Sequence, residues 1–372
     1  MKNVYLDLHV LQTVPSSNIN RDDAGSPKTA IYGGKVRSRV SSQSWKRAIR
    51  QGFKHESDGA DWLDAYRTKR AVELLAKEIQ KADSSLADDA ALEKSIEIFT
   101  TAGIKLDSKT NETKALLFVS KGQLVKLAQY ALEHEEDLAE KDDKKKAKEV
   151  KNRLKAVLNS DQSLDLALFG RMVADDPSLN VDASAQVAHA ISTNAITPEY
   201  DYFTGLDDCQ NDDEAGSAMI GTIEYNSSTL YRYANINLHD LQKNVGKDLT
   251  IEGLKLFIKE FVLSMPDGKQ NTFANKTVPQ YVMATIRTDT PVNLVSAFED
   301  PVKGKNGYVA ESIEKLENEY NETMKFVDQP VKTVVLTTKD SKMSDLAENL
   351  TDLINQTAGA VEETLNNEND HD

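Results

Sequence analysis

The segment that decides the fold of this chain reads Ser41-Ser42-Gln43-Ser44-Trp45-Lys46-Arg47-Ala48-Ile49-Arg50. Ser41 or Ser42 is a good N-cap, because a serine hydroxyl accepts a hydrogen bond from a free N–H group of the first helical turn. Apolar or small residues then recur at helical spacing, at Trp45, Ala48, Ile49, Gly52 and Phe53. The cations lie off that face, at Lys46, Arg47, Arg50 and Lys54. The spacing predicts a helix that packs through its apolar side and turns its cations outward.

This helix lies in a basic segment of an acidic protein. The chain has 372 residues and a formal net charge of −15. Between Ala24 and Lys54 there is no acidic residue, and the eight basic residues are Lys28, Lys35, Arg37, Arg39, Lys46, Arg47, Arg50 and Lys54. The rest of the chain therefore carries 37 basic and 60 acidic residues. Because nucleic-acid binding depends on where charge is concentrated, we interpret the segment as a backbone-binding surface. A solvated basic face without a partner is the alternative.

The residue types in this segment suit several phosphates rather than one. Gly33-Gly34 lets the backbone turn and expose N–H groups. Arg37 and Arg39 point the same way in an extended chain. The helix adds the N–H groups of its first turn, and Lys46 and Arg50 lie one turn apart along it. A Walker A loop, which holds a single nucleotide, is absent from the sequence.

The rest of the chain alternates strands and helices. From the N-terminus we predict a half-buried strand at 4–10, a long loop at 15–34, a mostly helical block at 61–168, a strand at 181–196, an irregular acidic loop at 197–221 and a strand at 225–238, bent at 226–228. Towards the C-terminus we predict helices at 250–265, 312–326 and 343–365, a strand at 280–286 and a β-rich segment at 329–338. This order indicates an α+β fold compatible with a split βαβ core.

Catalytic and metal sites have little support in the sequence. The histidines lack metal-ligand spacing, and His9, in a strand, is expected to be a packing or hydrogen-bonding residue. The single cysteine, Cys209, excludes an internal disulfide and fits a reducing cytoplasm. No apolar run is long enough for a membrane span, and no cofactor is predicted. The acidic pairs Asp22-Asp23, Asp207-Asp208 and Asp212-Asp213 have the oxygen ligands that Mg²⁺ prefers, although such pairs are usually solvated.

Several blocks of the sequence resemble one known family. They are residues 20–23, 30–35, 39–48, 170–172, 188–193, 231–238 and 269–270. In the same order, these blocks are similar to the backbone subunit of Cascade, the type I-E CRISPR surveillance complex, which belongs to the CasC or Cas-seven family. The blocks at 30–48 and 231–238 are the specific ones. Beyond Ser296 the resemblance is loose.

The resemblance implies a fold shaped like a right hand. Its parts are a palm similar to the RNA-recognition motif (ferredoxin-like), an inserted helical fingers domain and a protruding thumb. We place the palm in residues 1–57, 181–196 and 222–372, the last part including a C-terminal helix. The fingers then occupy 58–180 and the thumb 197–221.

The resemblance also implies a function and partners. Copies of the subunit associate head to tail along the spacer part of a CRISPR RNA and kink it at regular intervals, and the guide pairs with target DNA. The subunit is not an enzyme, because target cleavage belongs to a recruited helicase-nuclease. The other partners are the large, small, endonuclease and guide-end-capping subunits of Cascade. Two alternatives remain: a metal-dependent ribonuclease using Asp22 or Asp23, and a cytoplasmic scaffold without nucleic acid.

The resemblance assigns RNA contacts to particular residues. In the palm these are Lys28, Lys35, Arg37, Arg39, Ser41, Gln43, Lys46, Arg47 and Arg50. Other matching blocks supply Arg171, Lys269 and Gln270. Met172 corresponds to a methionine that packs between bases, and Tyr202 and Phe203 to thumb aromatics that wedge beside a displaced nucleotide. The sequence departs from some relatives at Val36, where they carry a cation, and its thumb is acidic, which leaves the wedge as the main role of the thumb.

Overall fold

The computed structural model of the chain describes residues 3–56, 60–139, 144–173, 176–205, 208 and 219–369. Its strands are β1 (Tyr5–Ser17), β2 (Thr29–Tyr32), β3 (Lys35–Val40), β4 (Ala65–Thr68), β5 (Leu117–Ser120), β6 (Ala185–Val187), β7 (Ala190–Ser192), β8 (Glu199–Gly205), β9 (Met219–Asn237), β10 (Tyr281–Arg287) and β11 (Lys332–Thr337). Its α-helices are α1 (Ser42–His55), α2 (Ala71–Ala82), α3 (Asp88–Ala102), α4 (Lys121–Glu133), α5 (Glu135–Ala139), α6 (Lys144–Leu158), α7 (Leu164–Phe169), α8 (Leu238–Val245), α9 (Lys247–Leu263), α10 (Gln270–Phe273), α11 (Val309–Thr323) and α12 (Leu350–Asn369). Short 3-10 helices cover Asp61–Leu63, Pro177–Leu179 and Leu294–Phe298. Among the described residues, no helix is long and apolar enough to cross a membrane.

The main sheet has the strand order β11-β10-β1-β9-β7-β3-β2, and β6 and β8 pair with β9 outside this path. Neighbouring strands run antiparallel, as in the pairing of Tyr5 with Arg287 and of Arg39 with Ile191. Helices separate β1 from β7 and β9 from β10 along the chain. The α+β prediction is confirmed as a mixed fold with an antiparallel sheet.

The chain forms two compact units. Unit 1 contains Met1–Ile49, Val187–Asn235 and Leu254–Asp372, and it holds the large sheet. Unit 2 contains Arg50–Gln186 and Ile236–Gly253. The finer division into palm, fingers and thumb stays a prediction.

Unit 2 is built around helices, as predicted for 61–168. Its core joins residues such as Leu75, Phe99, Leu127 and Leu154 from α2, α3, α4 and α6. Ser120 begins α4 with a reciprocal capping box, because its hydroxyl accepts from the Gln123 N–H and the Gln123 side chain accepts from the Ser120 N–H. The two-stranded sheet of β4 and β5 in this unit was not predicted.

The predicted N-terminal strand is confirmed as β1, but the prediction that it is half-buried is wrong, because both of its faces are buried. Asp7 and His9, on the expected polar face, are buried because β1 lies between β10 and β9 and α11 packs against it. His9 is a packing and hydrogen-bonding residue, as predicted: its Nδ1 lies 2.9 Å from the Tyr231 hydroxyl and its ring stacks on Tyr233. Burial lowers the pKa of His9 to about 3, so the ring is neutral.

Two predicted loops contain strands. At 15–34, β1 continues to Ser17 and β2 pairs with β3 across the Gly33-Gly34 turn. At 197–221, β8 pairs with the first residues of β9, and β9 then runs to Asn237 without the predicted bend. In both places pairing with a neighbouring strand overrides the local preference of Ser, Asn, Asp and Gly for turns. The last helix begins at Leu350 rather than at Met343.

Candidate nucleic-acid interface

The start of α1 is fixed by a cap and by a second contact from an asparagine. The backbone carbonyl of Ser41 accepts from the N–H groups of Ser44 and Trp45, and its hydroxyl lies 3.4 Å from the Ser44 nitrogen. Asn20 Oδ1 accepts from the Ser41 N–H at 2.9 Å. The predicted N-cap is confirmed, and the hydroxyl of Ser41 is occupied by the cap rather than presented to a ligand. Asn20, which was not predicted as a site residue, ties the preceding loop to the helix.

An apolar cluster under α1 holds the surrounding segments together. Its buried members are Val14, Ile19, Val40, Trp45, Ala190 and Leu230, with Met265 packed against them. The guanidinium of Arg232 lies 3.8 Å from the Trp45 ring centroid and donates to Gln12 Oε1 at 2.7 Å and to the Phe261 carbonyl. Burial lowers the pKa of Arg232 to about 9. Arg232, a buried cation of β9, therefore anchors the first turns of α1 through Trp45.

The loop before α10 approaches the start of α1 closely. A Cβ atom on Gly268 would lie 2.3 Å from the Ile19 carbonyl oxygen, so only glycine allows this approach. Arg47 Nη1 lies 3.7 Å from Asp267 Oδ1, and both side chains are largely exposed. The fold thus brings Lys269 and Gln270, which are far away in sequence, beside the exposed side of α1.

Arg39 joins a second group of cations at the end of β3. Its Nε donates to the Thr29 carbonyl at 2.9 Å, and its Nη1 lies 3.1 Å from His189 Nδ1. Burial and the charges of Arg39 and Lys28 lower the pKa of His189, which favours a neutral ring that accepts from Arg39. Lys28 lies next to Arg39, because its backbone N–H donates to the Asn20 carbonyl and its own carbonyl accepts from the Arg39 N–H. His189 was not predicted as a site residue.

These contacts bring most of the predicted palm residues together on unit 1. We call the basic surface the set of Lys28, Arg39, Gln43, Lys46, Arg47, Lys269 and Gln270. Gln43 and Arg47 are exposed and the others are half-buried. Lys35, at the exposed turn of the β2–β3 hairpin, lies about 13 Å from Arg39 along β3 at the usual rise per residue. The set contains five cations from separate segments, which suits a chain of phosphates better than a single anion.

Three cations of the acid-free segment are held by the protein itself, and the prediction that they all face outward is wrong for the buried Arg37. Arg37 is buried and bonded to backbone carbonyls, and burial lowers its pKa. Arg50 pairs with the buried Asp165 at 2.6 Å and stacks over Phe118. Lys54 Nζ lies 3.2 Å from Asp64. Asp165 is 115 residues away from Arg50 in the sequence, and Asp64 lies just beyond the end of the segment, so the segment is free of acids along the chain but not in space.

Arg171 in unit 2 is also buried, which contradicts its predicted contact with RNA. Its guanidinium donates to the carbonyls of Leu179, Phe118 and Leu158 at 2.8, 3.2 and 2.8 Å. Burial lowers its pKa to about 10. Its neighbour Met172 is 82% exposed, and the predicted contact of Met172 with bases stays a prediction.

The β8–β9 hairpin exposes tyrosines on one face. Tyr202 and Tyr200, two residues apart in β8, are both mainly exposed. Phe203 points to the other face and is half-buried, and its ring covers Gly221, where a Cβ atom would lie 2.4 Å from Phe203 Cζ. The hairpin therefore presents Tyr200 with Tyr202, rather than Tyr202 with Phe203, and the wedge role stays a prediction.

The acidic pairs do not form a metal site within the described part of the chain. No three His, Cys, Asp or Glu residues there are grouped so that they could hold a metal ion. Asp22 Oδ1 accepts from the N–H groups of Ala24 and Ser26, both at 3.0 Å, which makes it part of a local turn. Asp207, Cys209 and the pair Asp212-Asp213 lie outside the described residues.

Comparison with known proteins places the chain in a family. Residues 6–362 match the model of the CT1975-like protein family of Cas proteins. A solved chain from a "CRISPR RNA-guided surveillance complex, pre-nicking" is 31% identical with a TM-score of 0.82, and the match covers 96% of this chain and 100% of that one. A chain from a "CRISPR RNA-guided surveillance complex" is 29% identical with a TM-score of 0.73, over 96% and 99% of the two chains. None of the curated proteins matches. The family match extends over nearly the whole length, so this chain belongs to the CT1975-like family of Cas proteins.

Proposed function

We propose that this protein is a guide-RNA-binding backbone subunit of a CRISPR surveillance complex of the Cascade type, type I-E. Two similar solved chains belong to complexes described as CRISPR RNA-guided. The observation that carries the proposal is the basic surface, which gathers cations from three separate segments on one side of an otherwise acidic chain. Contacts of this kind bind phosphates without reading bases, and base pairing by the guide supplies the sequence specificity.

The proposal includes repeated binding along the guide. Copies associate head to tail on the spacer, and each copy kinks the RNA at a regular interval before it pairs with target DNA. The exposed Met172 and the exposed Tyr200 and Tyr202 supply apolar surface suited to unstacked bases. The order β10-β1-β9-β7, with helices between β1 and β7 and between β9 and β10, supports a palm of the RNA-recognition-motif type, with unit 2 containing the fingers and the β8–β9 hairpin forming the thumb.

We further propose that the subunit acts in the cytoplasm without chemistry of its own. It positions the guide, while the large, small, endonuclease and guide-end-capping subunits complete the assembly and a helicase-nuclease cleaves the target. No cofactor is required for this role, because the work is done by phosphate contacts and by base pairing within the RNA–DNA duplex.

Charge reversal at the start of α1 tests the proposal. The variant Lys46→Glu/Arg47→Glu is co-expressed with a CRISPR RNA and the partner subunits, and the complex is analysed by size exclusion with absorbance at two wavelengths. Wild type is expected to elute as a large, RNA-containing particle. The variant should elute without RNA, since two attractive contacts become repulsive, and its affinity for the RNA should fall by more than about tenfold.

A matched control reverses two lysines elsewhere on unit 1. Lys339→Glu/Lys342→Glu changes the net charge by the same amount but lies next to β11, the opposite edge of the sheet from β2. Six strand spacings of about 4.8 Å separate those edges by about 29 Å. The control should bind RNA as wild type does. An RNA-free wild-type protein in the presence of its RNA and partner subunits would contradict the proposal.

A further inference from the structure

We infer that Arg37 is a positioning residue for guide RNA: it fixes the β2–β3 hairpin so that Lys35 and Arg39 meet the RNA backbone, and it does not contact the RNA itself. The inference rests on the proposed function of the basic surface. This positioning role replaces the direct phosphate contact that was predicted for Arg37 from its place in the basic segment.

The guanidinium of Arg37 binds four backbone carbonyls. Its Nη1 donates to Ser192 at 2.9 Å and to Thr193 at 3.1 Å. Its Nη2 donates to Phe298 at 2.8 Å and to Glu299 at 3.1 Å. The side chain has no exposed surface. Both terminal nitrogens are engaged with the protein, so they do not reach phosphate oxygens.

These carbonyls lie where regular structure ends on both sides of the hairpin. β7 ends at Ser192, and the 3-10 helix Leu294–Phe298 ends beside Glu299. Carbonyls at the end of a helix lack partners within it, and a cation there is favourable. One planar guanidinium with donors in a fixed fork can bond to this helix end and also to the Ser192 and Thr193 carbonyls at the end of β7, the second of which also accepts from the Val302 N–H. Arg37 thereby joins β3 to two segments that are more than 150 residues away in sequence.

Two further contacts dock the same hairpin on the same segment. Gly33 has φ +57°, and a Cβ atom there would lie 1.7 Å from the Glu299 carbonyl oxygen, so the turn fits against Glu299 only as glycine. The Tyr32 hydroxyl donates to the Val295 carbonyl at 3.3 Å. β2 is an edge strand of four residues, and pairing with β3 alone holds it weakly. The position of the hairpin therefore depends on its contacts with residues 295–299.

Lys35 and Arg39 follow the hairpin because they flank Arg37 at two residues on either side. Lys35 is exposed, and Arg39 takes part in the basic surface through Thr29 and His189. Without the bonds from Arg37 to the four carbonyls, the hairpin and both of its cations can move, and the cations must then be ordered again when RNA binds. Loss of these bonds should therefore weaken phosphate contacts that Arg37 does not itself make.

Arg37→Lys tests the inference because it keeps the charge but removes the fork. Lysine acts as a point charge towards phosphate but cannot bridge four carbonyls in this geometry. Full-length protein is titrated into a fluorescein-labelled single-stranded RNA over a range of salt concentrations. We expect binding about tenfold weaker and a log–log salt slope smaller by about 0.7 for each phosphate that is no longer bound. Arg39→Lys should lose less affinity, and Arg67→Lys, an exposed arginine of unit 2, should behave as wild type.

Circular dichroism and thermal melting establish whether Arg37→Lys folds. If it does not, Gly33→Ala tests the same docking contact without altering any charge, and the same decrease in affinity and slope is expected. Wild-type affinity and slope in a folded docking variant overturn the inference, as does weaker binding with an unchanged slope. If the Lys46→Glu/Arg47→Glu protein also binds RNA as wild type does, the proposed function itself has failed.

Discussion

The two halves of α1 carry similar cations but use them differently. In the first half, Lys46 and Arg47 belong to the basic surface, and Arg47 lies 3.7 Å from the exposed Asp267. In the second half, Arg50 is paired at 2.6 Å with Asp165, whose side chain is only 3% exposed, and Lys54 is paired with Asp64. The Arg47 side chain is 67% exposed, whereas those of Arg50 and Lys54 are 16% and 30% exposed and lie against carboxylates of the protein itself. The difference teaches that a basic segment must be judged by its neighbours in space.

The largest effect on stability is expected from Arg50→Ala. Removing the guanidinium leaves Asp165 as a buried carboxylate without its cation, although the Ser163 hydroxyl still donates to it at 2.6 Å. Breaking a buried ion pair from one side costs about 4 kcal/mol of unfolding free energy. Urea denaturation followed by circular dichroism measures this change.

The double variant Arg50→Ala/Asp165→Ala is the control for that measurement. It should recover part of the stability, because no unpaired buried charge remains at this position. RNA affinity of the folded single variant should match wild type. A single variant that unfolds like wild type but binds RNA poorly would remove the distinction between the two halves of the helix.

Arg171 is buried and its neighbour Met172 is exposed, and we expect the second largest effect on stability from a substitution of Arg171. Arg171→Met removes a donor from three buried carbonyls, of which Leu158 keeps its bond from Gln123 Nε2, and we expect a decrease of about 3 kcal/mol in unfolding free energy. Met172→Ala removes an exposed side chain and should change stability by less than about 0.5 kcal/mol. Chemical denaturation of both variants, side by side, measures the difference. Equal effects would show that Arg171 does not hold this part of unit 2.

Two buried titratable groups in β1, Asp7 and His9, should make the free energy of unfolding depend on pH. Burial raises the pKa of Asp7 to about 7 against the opposing effects of the Val292 N–H, the Tyr233 hydroxyl and the Arg287 guanidinium, and it lowers the pKa of His9 to about 3. The stabilisation from neutral Asp7 is complete below its unfolded pKa of 3.8 and is lost as the pH rises to about 7. The stabilisation from neutral His9 is complete above 6.5 and is lost as the pH falls to about 3. The two slopes therefore oppose each other between pH 3.8 and 6.5.

His9→Gln should reveal the slope that belongs to Asp7. The unfolding free energy of this variant is expected to fall by about 1 kcal/mol per pH unit as the pH rises from 3.8 to 6.5, whereas wild type stays nearly constant. Urea titrations at several pH values measure both curves. A flat curve for His9→Gln between pH 3.8 and 6.5 would mean that Asp7 is charged in the folded protein throughout this range.

The smallest effect on stability is expected from Arg47→Ala. Its ion pair with Asp267 joins two exposed side chains, and such pairs contribute less than about 0.5 kcal/mol. The affinity for single-stranded RNA should nevertheless fall several-fold, since one cation no longer meets a phosphate. Thermal melting and fluorescence titration of the same preparation separate the two quantities. A large decrease in stability would show that Arg47 supports the fold as Arg50 does, and would contradict the distinction between the two halves of α1.

Much of the fold follows from local patterns in the sequence. The face of α1 formed by Trp45, Ile49 and Phe53 is buried as predicted, and Ser41 caps the helix. The helical block and the α+β order were also predictable, because amphipathic spacing is a local property. Strands in polar stretches were missed at 15–34 and 197–221, where pairing with the next strand of a hairpin decides the structure.

The site was harder to predict than the fold, because it depends on partners that are distant in sequence. Nothing near Arg37 in the sequence indicates that carbonyls at Ser192 and Phe298 will surround it, while Arg39 two residues later stays on the surface. The same holds for Arg232, whose partner is the Trp45 ring. An arginine in a basic segment can thus support a binding surface by bonding to the protein's own backbone carbonyls instead of to the ligand.

The salt dependence of RNA binding tests the central claim most directly. It is measured on wild type, on Lys46→Glu/Arg47→Glu and on Arg50→Gln with one labelled single-stranded RNA. If the first half of α1 contacts the RNA backbone and the second half does not, the log–log slope of the double variant is smaller by about 1.4 and Arg50→Gln keeps the wild-type slope. A wild-type slope in the double variant, or an equal decrease in Arg50→Gln, would contradict the account.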